Sequence, residues 1–211
     1  MLEASRRAGV RRVVSTSSSS VYGGAAVTPT PESAPLLPRS PYAVSKLAGE
    51  HYARVYWELH GLETVSMRPF NVFGPRQRPD SQYAAVIPLF IDALRSGRAP
   101  EVHGDGRQTR DFTYVDDTVS GFLAAAHAPA EVCAGRVYNV AAEGEHSLLD
   151  LLDILQRTLA VSVQPHHVAP RAGDVRNSRA DCALAHAQLG WGAEVSFEDG
   201  LARTVSWFAG A

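Results

Sequence analysis

Tyr42 and Lys46 are four residues apart in the segment Tyr-Ala-Val-Ser-Lys, and a run of serines, Ser17–Ser20, precedes them. On a helix, residues at i and i+4 lie on one face, so both side chains would point the same way. A tyrosine hydroxyl ordinarily ionises near pH ~10 and is a poor base at neutral pH. A neighbouring ammonium favours the phenolate, and a serine hydroxyl could hydrogen-bond the same substrate oxygen. Together these groups could take a proton from an alcohol, although an aromatic ring and a lysine stem packing on one helix face give the same spacing.

A helix that would carry this pair has clear start and stop signals. Ser40 is a suitable N-cap and Pro41 suits the first helical position. The helix is predicted to run to about His60 and to stop at Gly61, because glycine readily adopts the left-handed conformation that ends helices.

The segments around this helix predict the fold class. Val13 and Val14 begin a β-branched stretch that runs into the serines, which is typical of a buried strand ending in a polar loop. Thr28–Pro41 contains five prolines and must be an irregular loop. Leu62–Met67 reads as the next strand. Strand, helix and strand joined in this way predict an α/β fold with a parallel, doubly wound sheet.

The remaining elements are predicted from periodicity and capping signals. Predicted helices are Tyr83–Ser96, Asp116–Ala128, a helix that starts at Ser147 with a capping box and ends near Leu159, Ala183–Leu189, and Phe197–Phe208 with Ser196 as its N-cap. Predicted strands are Glu101–His103, Val137–Val140 and Val161–Gln164, and a turn is predicted at Gly104–Gly106. Trp191, Trp207 and Phe208 are expected in the core.

Several motifs in a fixed order carry a family resemblance. They are Val21-Tyr22-Gly23, Ser40-Pro41-Tyr42 with Lys46, Arg68–Pro75, Gly104-Asp105-Gly106, Arg110-Asp111-Phe112, Tyr114–Asp117 and Gly173–Arg176. Over nearly its whole length the chain resembles the extended short-chain dehydrogenases/reductases of the NAD-dependent epimerase/dehydratase family, and among them most resembles the UDP-sugar 4-epimerases. The resemblance implies a Rossmann-like domain, bound NAD and a UDP-sugar substrate.

The resemblance also implies residue roles. The catalytic hydroxyl of the family lies four residues before the tyrosine of the Val-Tyr-Gly motif, which is Ser18 here, with Ser17 and Ser19 as the fallback assignments. Tyr42 would be the general base, and Lys46 would favour its phenolate and hold the cofactor ribose. The cofactor-binding residues would be Ser17, Tyr42, Lys46, Pro69 and Phe70.

Substrate contacts follow from the same motifs. Asn71, Arg110 and Arg176 resemble diphosphate contacts, and guanidinium groups match phosphate oxygens. The residues that resemble uridine contacts are Ala85, Val86, Glu101, Val102 and His103. Further substrate contacts are implied at Ser18, Arg171, Asp174 and Ser178, and Ser178 would be a small gate that leaves room for a C2 acetamido group.

Residues near the catalytic serine bear on the reaction. The related dTDP-sugar 4,6-dehydratases carry Asp and Glu after the catalytic hydroxyl, whereas Ser19 and Ser20 stand here. A hydroxyl cannot supply that acid/base chemistry near neutral pH. The run Arg76–Pro88 resembles epimerases that act on UDP-N-acetylhexosamines or UDP-uronic acids. We therefore expect epimerisation of a UDP-hexose, UDP-N-acetylhexosamine or UDP-uronate at C4, with dehydration as an alternative.

The family usually opens with a strand, a glycine-rich turn and a helix that hold the pyrophosphate. No Gly-x-x-Gly-x-x-Gly precedes the serines here. We therefore expect a partial sheet that lacks its N-terminal strands. Residues 1–75 are predicted to belong to the NAD-binding domain, and residues 76–211 mostly to a small C-terminal substrate-binding lobe. Segments around 107–142 are predicted to return to the main domain. An inactive remnant that binds a nucleotide sugar, or a half completed by another N-terminal chain, remains open.

Composition narrows the partners. The chain has 211 residues and a formal net charge of -2, which gives no bulk attraction for nucleic acid or an anionic membrane. Cys133 and Cys182 lack metal-ligand spacing and are expected as free or buried thiols. His166 and His167 show no metal motif, so no metal site is predicted. A cytoplasmic homodimer is expected, the dimer by family analogy.

Overall fold

The computed structural model describes residues 1–25, 27–80, 85–170 and 175–210. Its strands are β1 (Arg12–Thr16), β2 (Glu63–Pro69), β3 (Val72–Phe73), β4 (Glu101–His103), β5 (Thr109–Arg110), β6 (Thr113–Tyr114), β7 (Arg136–Val140), β8 (His146–Ser147), β9 (His166–Val168) and β10 (Asn177–Ser178). Its α-helices are α1 (Leu2–Arg7), α2 (Pro41–His60), α3 (Val86–Arg95), α4 (Val115–His127), α5 (Ala130–Cys133), α6 (Leu148–Leu159), α7 (Ala183–Leu189) and α8 (Phe197–Gly210). A short 3-10 helix covers Ser19–Tyr22.

A parallel sheet in the order β1-β2-β7 forms the centre of the fold. Its middle strand, β2, is buried along most of its length, with Val65 and Met67 fully inaccessible. Helices α2 and α4 pack against β1 and β2, which explains why β2 is buried on both faces. Only one face is apolar, because Thr64, Ser66 and Arg68 alternate with Val65 and Met67. The carboxyl ends of the strands therefore meet at one edge, where Ser17 follows β1 and Phe70 follows β2.

A second hydrophobic core lies under the later helices. Residues of α3, α6 and α8 pack together with Phe73, Phe112 and Tyr114, and the rings of Phe112 and Phe197 stack with centroids 5.1 Å apart. The two separate clusters are compatible with the predicted main domain and small lobe, whose boundaries stay a prediction.

Helix α2 has the predicted ends. The Ser40 hydroxyl accepts a hydrogen bond from the Ala43 N–H, Pro41 begins the helix, and Gly61 ends it in the left-handed conformation with its N–H donating to the Trp57 carbonyl. The capping box at Ser147 and the Ser196 N-cap are likewise present.

Two of the predictions were wrong. No strand covers 161–164, because the Val161 and Val163 N–H groups donate to the carbonyl and side chain of Gln156 and turn the chain at the end of α6. The strand is instead β9, which pairs with β4 in parallel. Trp207 is 37% exposed rather than in the core, because it lies off the stripe by which α8 packs. Of the helix predicted from Tyr83, residues 83 and 84 lie outside the described part.

Candidate active site

Tyr42 and Lys46 lie together in the first turns of α2. The Lys46 ammonium is 5.5 Å from the centroid of the Tyr42 ring and donates to the carbonyl oxygen of Thr16, the last residue of β1, at 3.0 Å. The Tyr42 side chain is 54% exposed, so its hydroxyl is open to a ligand. The predicted pair is therefore a feature of the structure, and the lysine also ties the helix to the end of the strand.

The serine run folds into a tight loop over the same edge of the sheet. The Ser18 hydroxyl accepts from the Ser20 N–H at 3.2 Å and caps the 3-10 helix. Ser17 is buried and its hydroxyl donates to the Glu50 carboxylate. Ser17 thus has a protein partner for its proton, whereas the Ser18 proton has no acceptor within the described chain, which favours Ser18 over Ser17 for a substrate contact.

Gly23 allows the proline-rich loop to approach the serine loop. Its φ of +63° is left-handed, and a Cβ there would lie 1.8 Å from the Leu37 carbonyl oxygen. Any side chain would force the two loops apart. The glycine of the Val-Tyr-Gly motif therefore sets the position of the segment that enters α2.

The end of β2 supplies the floor of the site. Pro69 and Phe70 line the same cleft as the serines, and the Phe70 N–H donates to the Val140 carbonyl of β7. Asn71 has a left-handed φ of 31°, and its side-chain amide donates to the Asp111 carbonyl at 3.0 Å. Asn71 thereby joins the end of β2 to the segment between β5 and β6.

Two adjoining clefts run across this region. The first cleft has a volume of about 670 Å³ and is lined by Ser17–Ser20, Tyr42, Pro69, Phe70, Ser178 and others. The second cleft, about 540 Å³, lies against the lobe. Asn71, Val72 and Arg110 line both clefts, so the two clefts share a wall, with a cation at their junction.

Most of the predicted substrate residues lie on these walls. Ala85, Val86, Glu101 and His103 line the second cleft. Val102 does not, because alternation along β4 turns its side chain into the lobe core, where it is fully buried.

Two other predictions concern the loop before β10. Arg176 makes a bidentate ion pair with Asp105, at 2.9 and 3.0 Å, and is absent from the described walls of both clefts. A phosphate contact would require the guanidinium to leave Asp105. Arg171 and Asp174, and with them part of the Gly173–Arg176 motif, lie outside the described residues.

A buried polar network supports the site from behind. Arg68 on β2 and Glu50 on α2 form a bidentate ion pair at 2.8 and 2.6 Å, with side chains 3% and 5% exposed. Arg68 also donates to the Tyr22 hydroxyl, which donates to Asn139 on β7. Burial raises the pKa of Tyr22 to about 12, so this hydroxyl stays protonated as a donor.

Asp111 holds together three chain segments near the site. Its carboxylate accepts from the Gly144 N–H at 3.3 Å and the Ala180 N–H at 3.0 Å. Burial raises the pKa of Asp111 to about 7 despite these two donors. The joint is therefore sensitive to pH near neutrality.

Two functional candidates were missed from the sequence. Glu50 follows Lys46 by four residues, so the same i, i+4 spacing that indicated Tyr42 and Lys46 extends to it. Arg39 lines the first cleft, but only the fold of the proline-rich loop places it there.

Other site classes have no support in the described chain. Its His, Cys, Asp and Glu side chains form no group of three that could hold a metal ion. Within the same residues no helix has the length and apolar character needed to cross a bilayer. Cys133 and Cys182 are buried free thiols, as predicted.

Comparison with known proteins identifies the family. Residues 1–141 match the model of the NAD dependent epimerase/dehydratase family, and the chain belongs to that family. It is 42% identical, over 99% of its length, to a UDP-glucose 4-epimerase of Mycolicibacterium smegmatis, covering 66% of that protein. A dTDP-glucose 4,6-dehydratase of Actinoplanes is 35% identical over 99% of the chain and is covered to 63%. The chain thus spans about two thirds of the length of the curated relatives it matches.

Solved structures show the same fold. The UDP-N-acetylglucosamine 4-epimerase of Methanobrevibacter ruminantium, in complex with UDP-N-acetylmuramic acid, matches with a TM-score of 0.92 and 36% identity, over 99% of this chain and 66% of that one. The Thermotoga maritima UDP-glucose 4-epimerase with UDP-glucose matches with a TM-score of 0.93 and 33% identity, over 99% and 67%. The predicted family and Rossmann-like α/β fold are confirmed.

Proposed function

We propose that this chain forms the catalytic and nucleotide-sugar-binding part of an NAD-dependent UDP-sugar 4-epimerase. The observation that carries the proposal is the first cleft. It brings the exposed hydroxyl of Tyr42 and the Ser18 loop to the carboxyl edge of a parallel sheet, with Lys46 beside the tyrosine ring. Ligands of open α/β sheets bind at this edge.

The side chains suit proton transfer at a sugar alcohol. Tyr42 would take the proton from the C4 hydroxyl while Ser18 hydrogen-bonds the same oxygen, with the Lys46 ammonium beside the tyrosine ring. Lys46 uses one of its three N–H donors on Thr16, which leaves two for a ribose. NAD, when bound, supplies the chemistry of accepting a hydride from C4 and returning it to the opposite face.

Among the other predicted cofactor residues, Pro69 and Phe70 suit contacts to the nicotinamide ring of NAD. Pro69 and Phe70 offer an apolar wall beside Tyr42, whereas the Ser17 hydroxyl is engaged with Glu50. A solved UDP-glucuronic acid 4-epimerase that matches this chain was crystallised with NAD, which supports the assignment.

The UDP moiety is assigned to the junction and the second cleft. Arg110 and Asn71 lie at the junction, where the diphosphate would pass, and Ala85, Val86, Glu101 and His103 would surround the uridine. Ser178 lines the first cleft, and its small side chain would leave room for a C2 acetamido group. Turnover of UDP-glucose with none of UDP-N-acetylglucosamine would contradict the role of Ser178.

Dehydration is the less supported reaction, although dTDP-glucose 4,6-dehydratases are among the relatives. Removal of water from the sugar needs a carboxyl acid and base, and no Asp or Glu is among the described residues that line the first cleft. Ser19 and Ser20 occupy the positions in question.

A second candidate is nucleotide-sugar binding without turnover. The observation that favours this candidate is the unpaired edge of β1: the side of β1 away from β2 pairs with no strand among the described residues. A strand supplied from a further N-terminal segment or from another chain would cover this edge. A cytoplasmic location and a homodimer through α2, where Val44, Tyr52, Val55 and Leu59 are exposed, remain predictions.

Titration calorimetry separates the two candidates. In calorimetry, an epimerase should bind both UDP and NAD. In a separate absorbance measurement, its bound NAD should show the spectrum of the reduced form when a UDP-sugar is added. A binding-only protein should take UDP but not NAD. Binding of neither would refute both.

A further inference from the structure

Arg39 occupies a distinctive place in the first cleft. It precedes the N-cap of α2 and lines the cleft together with Tyr42, Gly23 and Val175. A Cβ on Gly23 would lie 3.2 Å from the Arg39 Cγ. The aliphatic stem of the arginine therefore packs along the serine loop, which directs the side chain along the cleft wall.

The guanidinium of Arg39 makes no hydrogen bond or ion pair in the part of the chain that the structure describes. The described residues that line the first cleft include no Asp or Glu, and its two cations are Arg39 and Arg110. Ser19 and Ser20 line the same cleft, and the Ser20 hydroxyl oxygen is buried with no hydrogen-bond partner. The cleft is thus cationic and rich in hydroxyls, although the chain as a whole has a formal net charge of -2.

The two cations are placed for different anions. Arg110 lines both clefts, as a diphosphate contact should, whereas Arg39 lines only the first cleft among the two. Arg39 is three residues before Tyr42, the proposed base at C4. Of the two carbons next to C4, C3 carries a hydroxyl and only C5 can carry a carboxylate, so C5 is where a cation that lines the cleft with Tyr42 could meet an anion.

We propose that Arg39 binds a carboxylate at C5 of the sugar, so that the substrate class is the UDP-uronates. This inference rests on the proposed function and narrows it. A guanidinium pairs with a carboxylate through two parallel hydrogen bonds, and the hydroxyl of Ser19, which lines the same cleft, can donate to the same group. A neutral hydroxymethyl group at C5 would leave the arginine without an anionic partner.

Calorimetry with the purified chain tests the proposal without requiring turnover. UDP-glucuronate should bind about tenfold more tightly than UDP-glucose, the size expected for one charge-assisted contact. Arg39→Gln should remove this preference and leave UDP-glucose binding within about twofold. Arg11→Gln is the matched control, because Arg11 is exposed and stands before the opposite end of β1, and it should keep the preference.

The outcomes separate this proposal from the broader one. Equal affinity of the wild-type chain for the two sugars would overturn the carboxylate contact and leave the epimerase assignment intact. An equal loss of both affinities in Arg39→Gln would place the arginine on the shared diphosphate and would also overturn it. Absence of binding by UDP and both sugars would refute the proposed function, and this inference with it.

Discussion

Glu50→Gln should destabilise the chain far more than its position on a surface helix suggests. The carboxylate neutralises Arg68 inside the protein, where the two side chains are 5% and 3% exposed. A glutamine keeps the shape but leaves the guanidinium without a counter-charge, and its amide nitrogen faces one of the arginine donors. Breaking a buried ion pair on one side costs about 3–5 kcal/mol. The loss should also loosen the serine loop, because Glu50 accepts from Ser17.

Urea unfolding followed by circular dichroism measures this effect. The control is Glu58→Gln on the same helix, where the exposed pair with Arg54, at 2.8 Å, should contribute about 0.5 kcal/mol or less. A Glu50→Gln variant within about 1 kcal/mol of the wild type would refute the reasoning, because it would mean that the buried charge is relieved by water or by rearrangement.

Three further perturbations follow from particular contacts. Burial raises the pKa of Asp111 from 3.8 to about 7, so between these values the folded state holds a proton that the unfolded chain has lost, and the free energy of unfolding should fall as pH rises. In thermal melts, Asp111→Asn should remove this dependence of stability on pH. An unchanged dependence in the variant would contradict the assignment to Asp111. Gly23→Ala should lower the free energy of unfolding in urea by about 2 kcal/mol or more, because its Cβ would lie 1.8 Å from the Leu37 carbonyl oxygen. A variant with the same urea midpoint as the wild type would show that the loops can separate freely. Burial raises the pKa of the Cys133 and Cys182 thiols, so a thiol reagent should label them only in urea, and rapid labelling of the native chain would argue against a closed core.

Local signals predicted the elements that carry the proposed catalytic residues. Ser40, Pro41 and Gly61 act within one helical turn of themselves, so the ends of α2 could be read from the sequence. The strand at His166–Val168 could not, because it exists by pairing with β4 more than sixty residues away. The burial of Val102 could have been predicted from the sequence, because side chains alternate along a strand and Val102 therefore lies on the other face from Glu101 and His103.

The residues of the candidate site also fall into those that local spacing predicts and those that only the tertiary fold places. Tyr42 and Lys46 are related by helical spacing alone, which is a property of the sequence. Arg176 was predicted for a phosphate, but its ion pair joins it to Asp105, a partner that only the fold brings near. The place of Arg39 depends on how closely the proline-rich loop approaches Gly23, a tertiary distance that no local pattern encodes.

Proton NMR of UDP-galactose and of UDP-galacturonate, each incubated with the chain and NAD, tests the role of Tyr42 most directly. The account predicts conversion of at least one of them to its C4 epimer by the wild-type chain and a rate lower by about a hundred- to ten-thousandfold in Tyr42→Phe, with UDP affinity unchanged. Equal rates in the two proteins, including no conversion by either, would contradict it.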